Sequence, residues 1–486
     1  MLKRLALSAT LLVAAAAAAD AQTAPPSPDT LYPPEAVRAD FDQLYAGLRE
    51  AHFDLFAATP QAVFDQRYAE MRAGFDRPMS RLEIQRDFQV FTALARHGHA
   101  RIDFPMEAFQ AFREAGGAAF PVSIRIHDGR VFVESHSTGL DGLRPGDEIL
   151  AFDGRPNTVW LPALMRHVSA ETPQLAHTLV EYYLRGLIWL EWPQMTEASL
   201  RVRHADGSEE TLLIAFQDRE TLNAQSEATA EPFSLDGREA RLLDDDIAYL
   251  RPGPFYNDTS GENMWDASGF IAFIDGAFGQ FSEAGADRLI VDLRDNPGGD
   301  NSFSDPMLAW IADEDFRFAS RFTIRISPQT TAANQARLDA MPEGQDGISA
   351  VFADLYAARD NGETVEFELP HAQPRPAEER FGGEVHVLVN RYSFSNAVSV
   401  AAIMQDYGFG IVAGETTADM STTYGAMEQF QLDHTGLVVG YPKAHIVRPN
   451  GETRSHPVTP DIELDFPAVR GPDDVVLEAL VARIRD

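Results

Sequence analysis

A short apolar run that ends in a cluster of turn residues constrains this chain more than any other stretch. It spans Arg288–Gly299 and reads RLIVDLRDNPGG. The branched side chains up to Leu293 are typical of a strand that is buried on both faces. The two glycines after Pro297 allow a tight turn and expose backbone N–H groups that a side chain would cover. The pattern therefore predicts a buried strand whose end can hold an oxyanion hole.

The second half of the chain alternates short apolar strands with helical patterns. Strands are predicted at 247–250, 289–293, 385–389 and 411–413, and helices at 264–283 and 395–407. Alternation of this kind indicates an α/β fold built in layers.

The first 21 residues have the pattern of a secretory signal peptide. Lys3 and Arg4 precede an apolar run, and Ala19-Asp20-Ala21 is a small-x-small cleavage site. A membrane anchor is the alternative reading, but about 20 apolar residues are needed to span a bilayer. We expect cleavage after Ala21, a periplasmic or secreted mature chain, and no membrane insertion of that chain.

Acidic residues outnumber basic ones by a wide margin. The formal charge of the whole chain is −34, and removing the signal segment, with its two basic and one acidic residues, leaves 38 basic and 73 acidic residues, a charge of −35. This charge argues against nucleic acid and anionic lipid as partners. The chain has no cysteine, which excludes thiol catalysis and disulfides. No His/Glu cluster has the spacing of metal ligands, so neither a metal nor a cofactor is expected.

Composition and periodicity divide the rest of the chain into four parts. A helical period and a capping box at Ser80 and Glu83 predict a helical domain near the N-terminus. Short strands around the turn signal Asp128-Gly129 predict a β-domain after it. The predicted parts are a flexible, proline-rich lead-in, the helical domain, the β-domain and the α/β core, at 22–36, 37–115, 116–216 and 217–486.

A second apolar strand runs through a polar loop directly into a helix, at His386–Ala397. A serine at the start of this helix lies where free N–H groups and the helix dipole favour developing negative charge. Ser393 or Ser395 could equally be an ordinary helix cap. The residues of this segment leave both readings open.

Four motifs together resemble those of the C-terminal processing (tail-specific) and tricorn-like serine peptidases. They are DLRDNPGG, VLVNRYSFSNA, GETT at 414–417 and VTPDI at 458–462, in that order. Within residues 116–216, the stretch GLRPGDEIL at 142–150 and the turn Asp153-Gly154 after it resemble the signature of a PDZ domain, which binds an extended peptide. A structural β-domain without a ligand is the alternative for this part. The resemblance implies a crotonase- or ClpP-like α/β peptidase core with an inserted PDZ-like β-domain and an N-terminal helical domain. It implies an exported serine endopeptidase that acts on peptides or unfolded proteins, and it leaves oligomerisation open.

The same resemblance assigns roles to individual residues. Ser395 matches the nucleophile of these peptidases. Gly298 or Gly299, together with the backbone N–H of Asn396, matches the oxyanion hole. In the tricorn-like branch the general base is a histidine in a loop before the PDZ-like segment, and His99 matches that position.

Other candidates for the general base are less consistent with the sequence. The C-terminal processing branch uses a lysine shortly after the GETT motif, but the matching position here is Met420, and Lys443 is the only lysine after the signal segment. His97 could serve in place of His99. A neutral imidazole is a suitable base near neutral pH.

Two positions depart from the family pattern. The glutamate expected four residues before Val458 is Arg454, and the one expected three residues after the nucleophile is Val398. Glu452 is the remaining candidate to orient His99 as a third catalytic member. The departures support an alternative, a catalytically inactive relative that binds peptides or an apolar ligand.

Overall fold

The structure is a computed structural model that describes residues 30–137, 139–226, 237–243, 246–259, 263–340, 347–471 and 473–485. The predicted signal peptide and most of the lead-in lie outside these residues. Within them, no helix combines the length and the apolar character needed to cross a membrane. The helices are Pro34–Ala51, Gln61–Gly74, Arg81–Thr92, Met106–Glu114, Asn157–Met165, Pro173–Glu191, Arg219–Ser226, Ser268–Ala284, Asn301–Leu308, Pro328–Ala340, Gly347–Ala357, Asn396–Tyr407 and Val475–Arg485.

A six-stranded sheet forms the centre of the C-terminal part, and the α/β layering predicted from the sequence is confirmed. Its first strand is antiparallel to its neighbour and the other five are parallel. Helices cover both faces, so the strands contribute side chains to two separate apolar cores. In spatial order the strands are Glu239–Leu242, Ile247–Arg251, Arg288–Asp292, Glu384–Val389, Ile411–Gly414 and Ile462–Glu463.

A second, antiparallel sheet was not predicted. Its longest strand, Val438–Val447, is buried almost along its whole length and includes Lys443 and His445. Polar residues that are paired inside the protein hide the apolar–polar alternation on which a strand prediction depends. The strands, in spatial order, are Thr364–Glu366, Arg321–Arg325, Val438–Val447 and Thr423–Gln431, and Arg101–Ile102 pairs with the third of them.

The N-terminal helices predicted in 37–115 are present, and the capping box at Ser80 and Glu83 is confirmed. Their apolar residues pack against the second sheet: Phe41 and Leu48 share one core with Tyr441. The helices therefore complete their core with strands from the C-terminal half of the chain.

Residues 116–216 form a sheet with its own core. Two helices, Asn157–Met165 and Pro173–Glu191, cover this sheet, and Trp160 and Leu184 are among the buried residues. The hairpin predicted around Asp128-Gly129 is present. Its strands are Val122–His127, Arg130–His136, Glu148–Phe152, Glu197–Arg203 and Glu209–Ala215, with the short Arg155–Pro156 paired to the third. We call residues 116–216 the inserted region.

One buried carboxylate joins the first helix to the turn of the second sheet. Asp40 accepts the backbone N–H groups of His434 and Thr435 at 2.9 and 2.8 Å and the Thr435 hydroxyl at 2.6 Å. Replacing Asp40 by Ala leaves these donors unpaired, and we expect the turn to open about 3 kcal/mol more easily. Hydrogen exchange measured by mass spectrometry should be about 100-fold faster in the peptide that contains the turn.

Asp42→Ala is the matched control for this change. The Asp42 carboxylate is 40% exposed and binds Arg72 of the second helix, so its loss should leave the turn protected. Equal exchange in Asp40→Ala and the unaltered protein would contradict the role given to Asp40.

Candidate active site

The two motifs that the sequence singled out lie side by side. Their strands are parallel neighbours in the central sheet, so the loops at their carboxyl ends meet. The Phe394 N–H donates to the Asn296 carbonyl at 2.9 Å, and the Ser393 hydroxyl donates to the Leu293 carbonyl at 2.8 Å. These hydrogen bonds fix the serine loop against the glycine turn.

Ser395 is held in an unusual backbone conformation at the start of the helix Asn396–Tyr407. Its φ of 53° and ψ of −121° lie outside the regions that non-glycine residues prefer, which costs about 1–3 kcal/mol. Its side chain makes no capping hydrogen bond. Ser393, in contrast, is fully buried and its hydroxyl also accepts the Asn390 N–H. Of the two serines, only Ser395 has a side chain free of structural hydrogen bonds to its own loop.

His99 lies directly beside Ser395. Its Nε2 is 3.4 Å from the Ser395 Oγ, and its ring stacks on Phe394 with the centroids 5.4 Å apart. The side chain of Arg101 holds the loop by donating to the Gly98 carbonyl at 3.0 Å. The structure therefore places the two residues that the sequence predicts as base and nucleophile next to each other, although they are far apart along the chain.

Burial determines the charge of His99. It lowers the pKa of the imidazole to about 4; Glu171 opposes this shift, whereas the positive charge of Arg101 and the neighbouring His97 act in the same direction as burial. The ring is therefore neutral at neutral pH, with one nitrogen able to accept a proton.

The glycine turn leaves space in front of the serine. Gly298 has a φ of 85°, and a Cβ added there would lie 2.7 Å from the Asn396 nitrogen and 2.9 Å from the Ser395 Cβ. The N–H of Gly298 itself donates to the Asn296 Oδ1 at 2.8 Å. A Cβ on Gly299 would meet the Phe255 carbonyl at 2.1 Å. Glycine at both positions is thus required by close approach as well as by backbone conformation.

Two buried carboxylates near the serine were not predicted. Asp419 accepts the Ser395 N–H at 2.6 Å, and burial, together with the charge of Glu171, raises its pKa to about 7. Glu171 accepts the Gly98 N–H at 3.1 Å and contacts His97 Nδ1 at 3.0 Å. Asp419 follows the GETT motif and stands beside Met420, which could have drawn attention to it. Glu171 belongs to the inserted region and carries no sequence signal.

Other predicted candidates lie elsewhere. Glu452 accepts the Arg454 N–H of its own loop at 2.8 Å. It makes no hydrogen bond to His99 in the described structure, where His99 Nε2 contacts Ser395 and Nδ1 has no partner. Lys443 is buried in an ion pair with Glu428 at 2.6 Å. The structure thus brings neither residue to the serine. Among the described residues, no three His, Asp or Glu side chains are grouped as metal ligands.

The inserted region also contacts the loop that precedes the nucleophile. The Tyr392 hydroxyl is hydrogen-bonded to both Glu181 and Arg125 of that region. Arg391 donates to the Ile126 carbonyl and forms an ion pair with Glu181. The loop between the strand and Ser395 is thus fixed partly by residues outside the central sheet.

Residues 267–464, which include Ser395 and all four sequence motifs, match the model of peptidase family S41. These residues therefore form a peptidase family S41 domain. A domain of this family is a serine-type peptidase, a hydrolase whose substrates are peptides or proteins. No curated protein is significantly similar to it in sequence.

Solved structures share the fold of this S41 peptidase. Mature CPAF complexed with lactacystin is 15% identical, with a TM-score of 0.65 over 93% of this chain and 99% of that one. Mature CPAF alone is 15% identical, with a TM-score of 0.61 over 89% of this chain and 94% of that one. The similarity therefore covers nearly the whole chain, including the N-terminal helices and the inserted region.

We expect the imidazole of His99 to titrate near pH 4, because burial disfavours its charged form. The midpoint can be measured by NMR on protein labelled with ¹⁵N-histidine, with His99→Gln identifying the signal. The unfolded chain binds this proton at a higher pH than the folded one, so this group lowers stability as the pH falls from about 6.5 to about 4. A midpoint near 6.5 would contradict this environment.

Proposed function

We propose that the chain is an exported serine endopeptidase, similar to the carboxy-terminal processing peptidases, with Ser395 as nucleophile and His99 as general base. The observation that carries the proposal is the 3.4 Å contact between His99 Nε2 and Ser395 Oγ. The distance is slightly long for a hydrogen bond, as is common in unliganded enzymes, where catalytic contacts tighten when substrate binds.

The proposed reaction follows from the protonation states of these two groups. The neutral imidazole takes the proton of the Ser395 hydroxyl at Nε2 while the oxygen attacks the peptide carbonyl carbon. The imidazolium then gives the same proton to the leaving amine, and an acyl-enzyme remains. A water molecule repeats the sequence, with His99 as base and then as acid, and releases the carboxylic acid product.

The developing oxyanion needs donors beside the serine. The Asn396 N–H is among the first four in its helix, which have no partner within the helix, and the helix dipole adds to its effect. The N–H of Gly298 is already used by Asn296. We therefore assign the second donor to Gly299, the other glycine that the sequence left open, and assign to Gly298 the role of keeping the space clear.

Two expectations from the sequence complete the proposal. The pattern of residues 1–21 supports export to the periplasm or beyond, and the PDZ-like pattern of the inserted region supports binding of an extended peptide. The alternative of an inactive relative would be favoured by a separation of Ser395 and His99 far beyond hydrogen-bond reach. Their contact supports the active enzyme instead.

Ser395→Ala and His99→Ala should each lower kcat/KM by on the order of 10⁴-fold or more, since each removes a group that handles the same proton. The measurement is cleavage of a mixed peptide library, with products identified by mass spectrometry. A fluorophosphonate probe should label the unaltered protein on Ser395 and label neither variant at a comparable rate.

The chain offers matched controls for both substitutions. Ser399 lies one turn further along the same helix, and His434 lies in an exposed turn of the second sheet. Ser399→Ala and His434→Ala should retain activity within about twofold. Unaltered protein that binds peptides but neither cleaves them nor reacts with the probe would refute the peptidase mechanism.

A further inference from the structure

His99 lacks the partner that usually orients a catalytic histidine. Its Nδ1 is buried and has no hydrogen-bond partner among the residues that the structure describes. Glu171, in the same buried cluster, presents a carboxylate oxygen, Oε2, that is also buried and has no partner among them. A buried donor or acceptor without a partner costs about 1–3 kcal/mol. His99 Nδ1 and Glu171 Oε2 lie in the same cluster, so a hydrogen bond between them would give each its missing partner.

Hydrogen bonds of Glu171 and of its neighbours Ser169 and Thr172 fix the position of the Glu171 side chain. Its Oε1 accepts the Gly98 N–H at 3.1 Å, immediately before His99 in the chain, and lies 3.0 Å from His97 Nδ1. On the same loop, Ser169 Oγ accepts the His97 N–H at 2.9 Å. Thr172 donates to the Ala418 carbonyl at 3.1 Å. This loop therefore bridges the segment that carries His99 and the segment that carries Asp419.

The charges in the cluster suit a carboxylate beside an imidazole. The side chain of Glu171 is only 7% exposed and faces His97, His99 and Asp419. Burial would raise its pKa, but the hydrogen bond with His97 and the electrostatic interaction with the two imidazoles lower it below the ordinary value, so Glu171 is ionised. The neighbouring Asp419 has the raised pKa of the pair. Two carboxylates whose pKa values are pushed apart are typical of catalytic sites.

We propose that Glu171 is the positioning residue for His99, with its Oε2 accepting the Nδ1–H of the imidazole when substrate binding tightens the site. This inference rests on the proposed Ser–His mechanism. The Nδ1–H bond directs the Nε2 lone pair at Ser395, and the carboxylate stabilises the imidazolium that forms when Ser395 gives up its proton. Glu171 keeps its charge throughout and takes no proton.

Two other groups could in principle orient the His99 imidazole, namely Glu452 and the backbone of Tyr424. Glu452 is engaged in its own loop, and Arg454 beside it is exposed. The backbone of Tyr424 also faces the imidazole and raises its pKa, but no hydrogen bond of normal geometry joins the two groups in the described part of the chain. If the backbone carbonyl of Tyr424 orients the ring, removing the charge of Glu171 should leave that orientation unchanged.

The decisive variant is Glu171→Gln, which keeps an oxygen for the Gly98 N–H and removes the charge. We expect kcat/KM to fall by on the order of 10²- to 10⁴-fold. The acid limb of the pH profile of kcat/KM should also move to lower pH, because the carboxylate raises the pKa of His99. Glu171→Asp keeps the charge on a shorter side chain, so it should recover part of the rate and have an acid limb between those of Glu171→Gln and the unaltered protein.

Glu191→Gln is the matched control. Glu191 lies in the same inserted region, has a side chain 10% exposed, and accepts from His167 at 2.8 Å, so it reproduces a buried Glu–His pair away from Ser395. We expect its activity and its acid limb to stay within about twofold and 0.3 pH units, on the order of experimental error. The charged groups that face His99 besides Glu171, namely Arg101 and His97, are unchanged in both variants.

Three outcomes would overturn the assignment. They are unchanged kinetics in Glu171→Gln, a loss of rate without a shift of the acid limb, and a comparable loss with a shifted limb in Glu452→Gln. If the unaltered protein cleaves nothing, the proposed function fails. The NMR titration of His99 then still tests the contact between Glu171 and His99. A lower midpoint of His99 in Glu171→Gln supports the contact, and an unchanged midpoint refutes it. If Glu171→Gln does not fold, the same titration in Glu171→Asp against the unaltered protein decides, because a shorter acid must weaken a real contact.

Discussion

The parallel pairing of Arg288–Asp292 with Glu384–Val389 is the interaction on which the active site depends. Successive residues of both strands enter two different apolar cores, so neither strand can shift in register without exposing apolar side chains to the wrong layer. The fixed register brings the glycine turn and the serine loop to one edge of the sheet. The position of Ser395 relative to the glycine turn is set at that edge, and His99 reaches it from another part of the chain.

The second determinant of the site is the removal of water from charged groups. His99, Asp419 and the carboxylate of Glu171 share one buried cluster. Burial disfavours every charge there, and the two carboxylates, which carry the same charge, disfavour each other's ionisation. The outcome is a neutral imidazole, one ionised carboxylate and one carboxyl group with a raised pKa. Moving one of these side chains into water would therefore change the protonation of the other two, which explains why the loops around them are so extensively hydrogen-bonded.

The parts of the structure that could be predicted from the sequence are those that local patterns determine. The apolar run before the glycine turn and the short strand before Ser395 each carry their own signal, and the loop of His99 could be matched to a family pattern. Glu171 could not be found in this way, because its role comes from a contact between two distant segments. Lys443 is the opposite case: its residue type suits a base, but Glu428 binds it in the second sheet.

The shared core of the N-terminal helices and the second sheet has a consequence for biosynthesis. Phe41 and Leu48 leave the ribosome long before Tyr441, the residue with which they form one core. Native contacts between segments so distant in sequence form slowly and late. The nascent chain thus carries an incomplete first domain for most of its synthesis, and it cannot form the pair of His99 and Ser395 until that time is nearly over. A peptidase built in this way gains the pair of His99 and Ser395 only when most of its chain has been made.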